Sequence, residues 1–322
     1  PPAFGTITPD NNAYIRQATS SVSWSNNEDL QSGEVKYTGT SGADSGMVRS
    51  YIMDATSKPA GSRNTSIASL VDATIYKLTI AGTDIAGNVN SVDKTNITYD
   101  TTPPAFGTLA PATGSIIRAA TRTAQWSNTE VLSGGYVKYV STSGGDSGTE
   151  YSSDLTGLTA KANQSKDIGA LTDGSIYSLA LFGQDLAGNT ASVTNTNITY
   201  DVTPPAFGTI TPDDNAKISV VTRPVKWTNA ETMSDGEITY RQTSGAADVN
   251  SPHTLSMAGH LSAGQQTLDV ASNLVEGAVY KLELKATDIA GNSTYLNPAK
   301  TGIMYDITPP TFGTLTPLSG AR

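Results

Sequence analysis

The sequence predicts an all-β chain made of three tandem antiparallel sandwiches, and three observations lead there. First, the peptide Asp100-Thr-Thr-Pro-Pro-Ala-Phe-Gly-Thr108 recurs from Asp201 to Thr209 and from Asp306 to Thr314, changing at its second and sixth residues alone. The chain also opens on the same words, Pro1-Pro2-Ala3-Phe4-Gly5-Thr6. The spacings, 101 and 105 residues, exceed the roughly 20–50 of a solenoid unit and match a domain of about 100 residues. Second, apolar residues alternate in short runs, as in Val22-Ser-Trp24-Ser and Ile75-Tyr-Lys-Leu-Thr-Ile80. Period two means half-buried strands. Third, no segment reads as an amphipathic helix, and Gly, Asn and Asp turns punctuate the strands, the pattern of an antiparallel sandwich. The expected units are 1–102, 103–203 and 204–308, with 309–322 opening a fourth, so the chain reads as a piece of a longer array.

Within each unit the elements follow in order. The Pro-Pro pair fixes two φ angles and extends the residue before it, so the linker runs stiffly into a first strand. Trp24, Trp126 and Trp227 fall on the second strand, and Tyr37, Tyr139 and Tyr240 on the third. Leu70, Leu171 and Leu274 each precede a tyrosine (Tyr76, Tyr177, Tyr280) by six residues. That spacing suits a tyrosine corner at the penultimate strand, where the hydroxyl bonds back to upstream backbone. These aromatics read as core. Asp84-Ile-Ala-Gly-Asn88, with its copies Asp185–Asn189 and Asp288–Asn292, makes the last hairpin turn. With little slack between units, three of them stack into a rod of about 110 Å.

Composition narrows the partners. With 29 acidic and 20 basic residues the net charge is −9, which disfavours nucleic acid and anionic membranes. The absence of cysteine removes disulfides and thiol chemistry. No apolar run is long enough for a membrane span.

Three motifs together resemble a known family: the Asp-x-Thr-Pro-Pro linker, the Asp-x-Ala-Gly-Asn turn, and Trp-x-Asn-x-Glu ending at Glu28, Glu130 and Glu231. They are similar to the bacterial Ig-like repeats of giant surface adhesins, some of which bind calcium. The early tryptophan resembles fibronectin type III more than antibody domains. The resemblance implies three seven-stranded Ig/fibronectin type III-like Greek-key sandwiches in an elongated rod. It also implies an extracellular or cell-surface place and a role as a structural stalk. The partners would then be neighbouring repeats, and a host or environmental surface reached through a distal domain. A glycan- or cell-binding module and a self-assembling filament or surface-layer subunit are the alternatives. An enzyme is not expected, because a catalytic constellation is unique and this chain repeats.

The physics of a sandwich points to the same sites. The loop after the tryptophan strand, the last hairpin turn and the incoming linker share one pole. Asp100, Glu130 and Asp185 should meet there, as should Asp201, Glu231 and Asp288, while Glu28 and Asp84 form a weaker pair. Converging carboxylates call for a cation, and an all-oxygen set suits calcium. The competing reading is that these Asp and Asn residues are turn formers. His253 and His260 are expected in loops, and Asp44 and Asp146 in solvated turns after the third strand.

Overall fold

Alternation along the sequence becomes alternation of burial along the strands. In Ala278–Asp288 every second residue, from Ala278 through Tyr280, Leu282, Leu284 and Ala286 to Asp288, is buried. The intervening side chains are half-open, which is the pleat at work. A computed structural model describes residues 1–17, 20–269, 274–296 and 298–313. The expected opening of a fourth unit lies, from 314 on, outside the described residues. All 23 elements among the described residues are strands, and no helix there is long and apolar enough to cross a membrane.

The chain divides into two compact units, Pro1–Gly114 with Thr123–Ala170 and Ile176–Ile198, and Ser115–Arg122 with Leu171–Ser175 and Thr199–Arg322. The first unit contains strands β1 (Phe4–Thr8), β2 (Tyr14–Ile15), β3 (Ser21–Asn26), β4 (Leu30–Ser41), β5 (Val48–Ile52), β6 (Gly61–Ser66), β7 (Thr74–Asp84) and β8 (Val89–Tyr99). They form two sheets, β1-β3-β6 and β2-β8-β7-β4-β5. The first strand is split: β1 pairs antiparallel with β3, whereas β2 pairs parallel with β8. Counting the split strand once gives seven strands. Val22, Trp24, Val35, Tyr37, Tyr76, Leu78, Ile80 and Ile97 fill the sandwich-like core. In the same unit Ala124–Ser127 pairs with Asn163–Lys166, and Leu132–Ser143 lies between Glu150–Asp154 and Ser175–Asp185.

The second unit repeats the plan. Its larger sheet runs Lys217–Ile218, Lys300–Tyr305, Ala278–Asp288, Met233–Gly245, His253–Ser256, and Val225–Asn229 pairs with Gly264–Leu268. Here the first strand is reduced to bridges from Phe207 to Asn229 and from Thr211 to Lys226.

Each tryptophan is buried and pairs with its own motif. The indole N–H of Trp24, Trp126 and Trp227 donates to the amide oxygen of Asn26, Asn128 and Asn229 at 2.9, 2.9 and 2.6 Å. The same asparagines donate across the sheet to backbone carbonyls about 30 residues away, such as Leu158 and Ala160 for Asn128. Trp-x-Asn is therefore one buried hydrogen-bonded unit that pins the loop about 30 residues further on, before the strand that pairs with the tryptophan strand.

The tyrosine corner forms with an addition and two corrections. The Val71 N–H donates to the Tyr76 hydroxyl, and Val275 N–H to that of Tyr280, both at 2.8 Å. Each hydroxyl then donates to a carboxylate: Tyr76 to Asp44, Tyr177 to Asp146 and Tyr280 to Asp248, at 2.9, 2.7 and 2.7 Å. Asp44 and Asp248 are buried and Asp146 is half-buried, so the Asp44 and Asp146 turns are not solvated loops. The residue five positions on supplies the second partner, and it differs: Arg49, Tyr151 and His253. His253 is accordingly not a loop residue. It opens a strand, with Nε2 2.6 Å from Asp248 Oδ2. His260 lies beside Trp227, ring centroids 6.1 Å apart.

Candidate metal centre

Strand register brings the loop carboxylates together. Asp185 is the last residue of Ser175–Asp185 and pairs with Leu132, two residues after Glu130. Asp288 pairs with Met233, two residues after Glu231. The linker aspartates enter by continuing the short parallel pairing: Asp100 N–H donates to Ile15 O at 2.9 Å, and Asp201 N–H to Ile117 O at 2.8 Å. The result is two groups, Asp100 with Glu130 and Asp185, and Asp201 with Glu231 and Asp288. In each, one carboxylate oxygen per residue lies within 4.8 Å of the others. Asp185 and Asp288 are buried and the other four half-buried.

Every turn-forming bond expected of these residues is also present. Asp185 Oδ1 accepts from Asn189 N–H and Oδ2 from its Nδ2, both at 2.9 Å, and Asp288 holds Asn292 in the same way. Asp100 Oδ1 accepts from Thr102 N–H at 3.0 Å, closing the linker turn. The turn function and the clustering coexist, because each carboxylate oxygen has two lone pairs. The asparagine amide does more: Asn189 Nδ2 also donates to Asp100 O, and Asn292 Nδ2 to Asp201 O, each at 3.0 Å.

The electrostatics leave the groups short of positive charge. Burial, then the neighbouring Asp185 and Asp72 charges, push the Asp100 carboxyl above the ordinary range, against the Thr102 N–H bond. Burial followed by Asp100 and Asp185 does the same to Glu130, partly offset by Lys161. Asp201 and Glu231 rise for the same reasons. Among the described residues none of the six carboxylates has an ion-pair partner. All-oxygen, acceptor-only, partly desolvated groups of this kind fit a hard cation such as calcium, and they contain none of the His or Cys ligands on which zinc sites are usually built.

Among the described residues Glu28 and Asp84 belong to no such group of three. Asp84 is bound by Asn88, whose amide holds its carboxyl below the ordinary range.

Sequence reasoning missed a second carboxylate at each linker. Asp72 accepts from Thr101 N–H and the Thr102 hydroxyl, both at 2.6 Å. Asp173 accepts from Val202 N–H at 2.7 Å and from the Thr203 hydroxyl, and Glu276 holds Ile307 and Thr308 likewise. The linker threonine is thus what the preceding repeat grips, and its recurrence was the available signal. These bonds, the threonine hydroxyl foremost, hold Asp72 and Asp173 below the ordinary carboxylate range. A depressed folded value contributes stability above the unfolded value near 3.9, and that contribution is lost as pH falls through the folded value. Asp173→Asn should therefore flatten the acid limb of stability against pH. Urea midpoints between about pH 5 and pH 2 test this, and an unchanged acid slope would refute it.

No protein-family model matches the chain, and no curated protein matches it. Among solved structures it is similar to one of a 1.5-MDa bacterial ice-binding adhesin, at 18% identity over 96% of this chain and 99% of that one, with a TM-score of 0.34. It is also similar to a tetra-tandem repeat from the extending region of a large adhesion protein, at 20% identity over 94% and 74%, TM-score 0.29. The FN1–FN3 domains of chicken CNTN1 match at 12% identity over 92% and 97%, TM-score 0.31. At these TM-scores the likeness carries no inference about function.

Proposed function

We propose that this chain is a structural extender segment of a bacterial surface or secreted adhesin, with three domain units, 1–102, 103–203 and 204–308, in a rod whose joints take up calcium. The observation behind this is the repetition of one arrangement: a linker aspartate, a loop glutamate and a turn aspartate gathered within 4.8 Å, twice, at successive linkers. A catalytic site has no need to recur at each linker, whereas a joint does.

In this reading Asp100, Glu130 and Asp185 hold one ion, and Asp201, Glu231 and Asp288 another. Calcium supplies the positive charge these sites lack. The chain's own residues do the positioning: Asn189 and Asn292 fix the turn aspartate and touch the linker carbonyl, and the Pro-Pro pair limits how far the linker can swing.

Calorimetric titration of calcium into the intact chain and into Asp100→Ala plus Asp201→Ala tests the reading. The intact chain should bind two ions and the variant should lose both. Binding to the folded form stabilises by RT ln(1 + [L]/Kd), about 2.7 kcal/mol at 100 Kd, so the melting temperature should rise with calcium in the intact chain only. Absence of uptake by the intact chain, or equal uptake by both, overturns it.

A further inference from the structure

The turn that carries Asp185 and Asp288 has a second occupied surface. Its fourth residue is a glycine with positive φ, 88° at Gly87, 91° at Gly188 and 91° at Gly291, which a side chain would strain. The surroundings differ. A Cβ at Gly87 would meet nothing within 4 Å, one at Gly188 would meet the Arg16 guanidinium with Cζ at 3.6 Å, and one at Gly291 would meet that of Arg118 with Cζ at 3.2 Å. Arg118 Nη1 also donates to Gly291 O at 2.5 Å. Arg16 and Arg118 hold the same place in successive repeats, directly after the two-residue strands Tyr14–Ile15 and Ile116–Ile117. The third repeat has Ser219 there.

We propose that this turn is a guanidinium seat: the arginine of one repeat lies over the glycine of the next repeat's last hairpin turn and ties the two together without any metal. The chemistry fits. A guanidinium is planar, weakly hydrated and rich in donors, so it can lie flat on a peptide face while an edge N–H meets a carbonyl. The seat needs glycine for its φ, while an added Cβ would come into ordinary contact with Arg16 at Gly188 and press more tightly on Arg118 at Gly291. It is also distinct from the carboxylate group, which uses the first residue of the turn, whereas the seat uses the fourth. A joint then has two ties that require no ion, the linker threonine held by Asp72 and the turn covered by Arg16. It keeps order when calcium is withdrawn.

The chain contains no cysteine, so a nitroxide pair can be introduced at Thr56→Cys and Thr156→Cys, both exposed, and its distance distribution measured in chelator. Arg16→Ser, which places at the first joint the residue found at position 219, should broaden that distribution about twofold relative to the parent, with the urea midpoint unchanged. Arg16→Lys should leave it broad, since an ammonium cannot lie flat on the turn. Equal widths for parent and Arg16→Ser overturn the seat, as does full recovery with lysine, which would mean that charge alone suffices. Because the measurement is made without calcium, its failure is separate from failure of the calorimetric test above.

Discussion

Trp126→Ala should destabilise its own repeat by about 3–5 kcal/mol, the range for emptying a buried large aromatic site. The side chain is 3% exposed, so the truncation leaves a cavity rather than a surface dent. It also removes the indole N–H that Asn128 accepts at 2.9 Å. The orphaned asparagine is what holds the Leu158 and Ala160 carbonyls, so the loop after the fourth strand should loosen with it. Trp126→Phe separates the two effects: most of the volume stays and the hydrogen bond goes, for a cost nearer about 1–2 kcal/mol. Urea unfolding followed by circular dichroism should show roughly a third of the amplitude moving to lower denaturant while the rest stays, as for units that unfold separately. A single transition shifted as a whole would contradict independent repeats, and an unshifted one would contradict the core assignment.

Asp248→Ala should cost about 3 kcal/mol in the third repeat, as expected for removing a buried charged acceptor from its partners. Burial pushes this carboxyl up, yet the bonds from Tyr280, His253 and the Asn250 N–H outweigh it and hold the group below the ordinary range. It is therefore ionised at neutral pH. Its removal strands a buried tyrosine hydroxyl and a His253 side chain that is only 11% exposed. Asp44→Ala should cost less, because its partner Arg49 is 26% exposed and can turn to water. Urea midpoints of the two variants provide the comparison, and an equal or larger loss from Asp44→Ala would count against solvent rescue of the partner.

Much of this was legible without coordinates. The repeat length, the strands and the buried tryptophans followed from spacing and period-two alternation, because a strand's pleat writes burial directly into the sequence. The six carboxylates could be named because sandwich topology places two loops and the linker at one pole, and each residue recurred in phase. The turn reading and the cation reading could not be separated, since the same aspartates do the bonding that both require.

What the tertiary structure alone decided lies in contacts whose ends look ordinary by themselves. Asp44 and Asp146 sit in Gly- and Ser-rich stretches that read as solvated turns, and they become a buried and a half-buried acceptor only when Tyr76 and Tyr177 fold over them, about 32 residues away; Asp248 is met by Tyr280 in the same way. Asp72 and Asp173 are loop acids until a threonine some 30 residues on reaches them. Arg118 meets Gly291 across 173 residues. Local pattern reports a residue's own strand and face. It is silent on which distant backbone or hydroxyl will arrive opposite, because that depends on how the sheets pack and how one repeat meets the next.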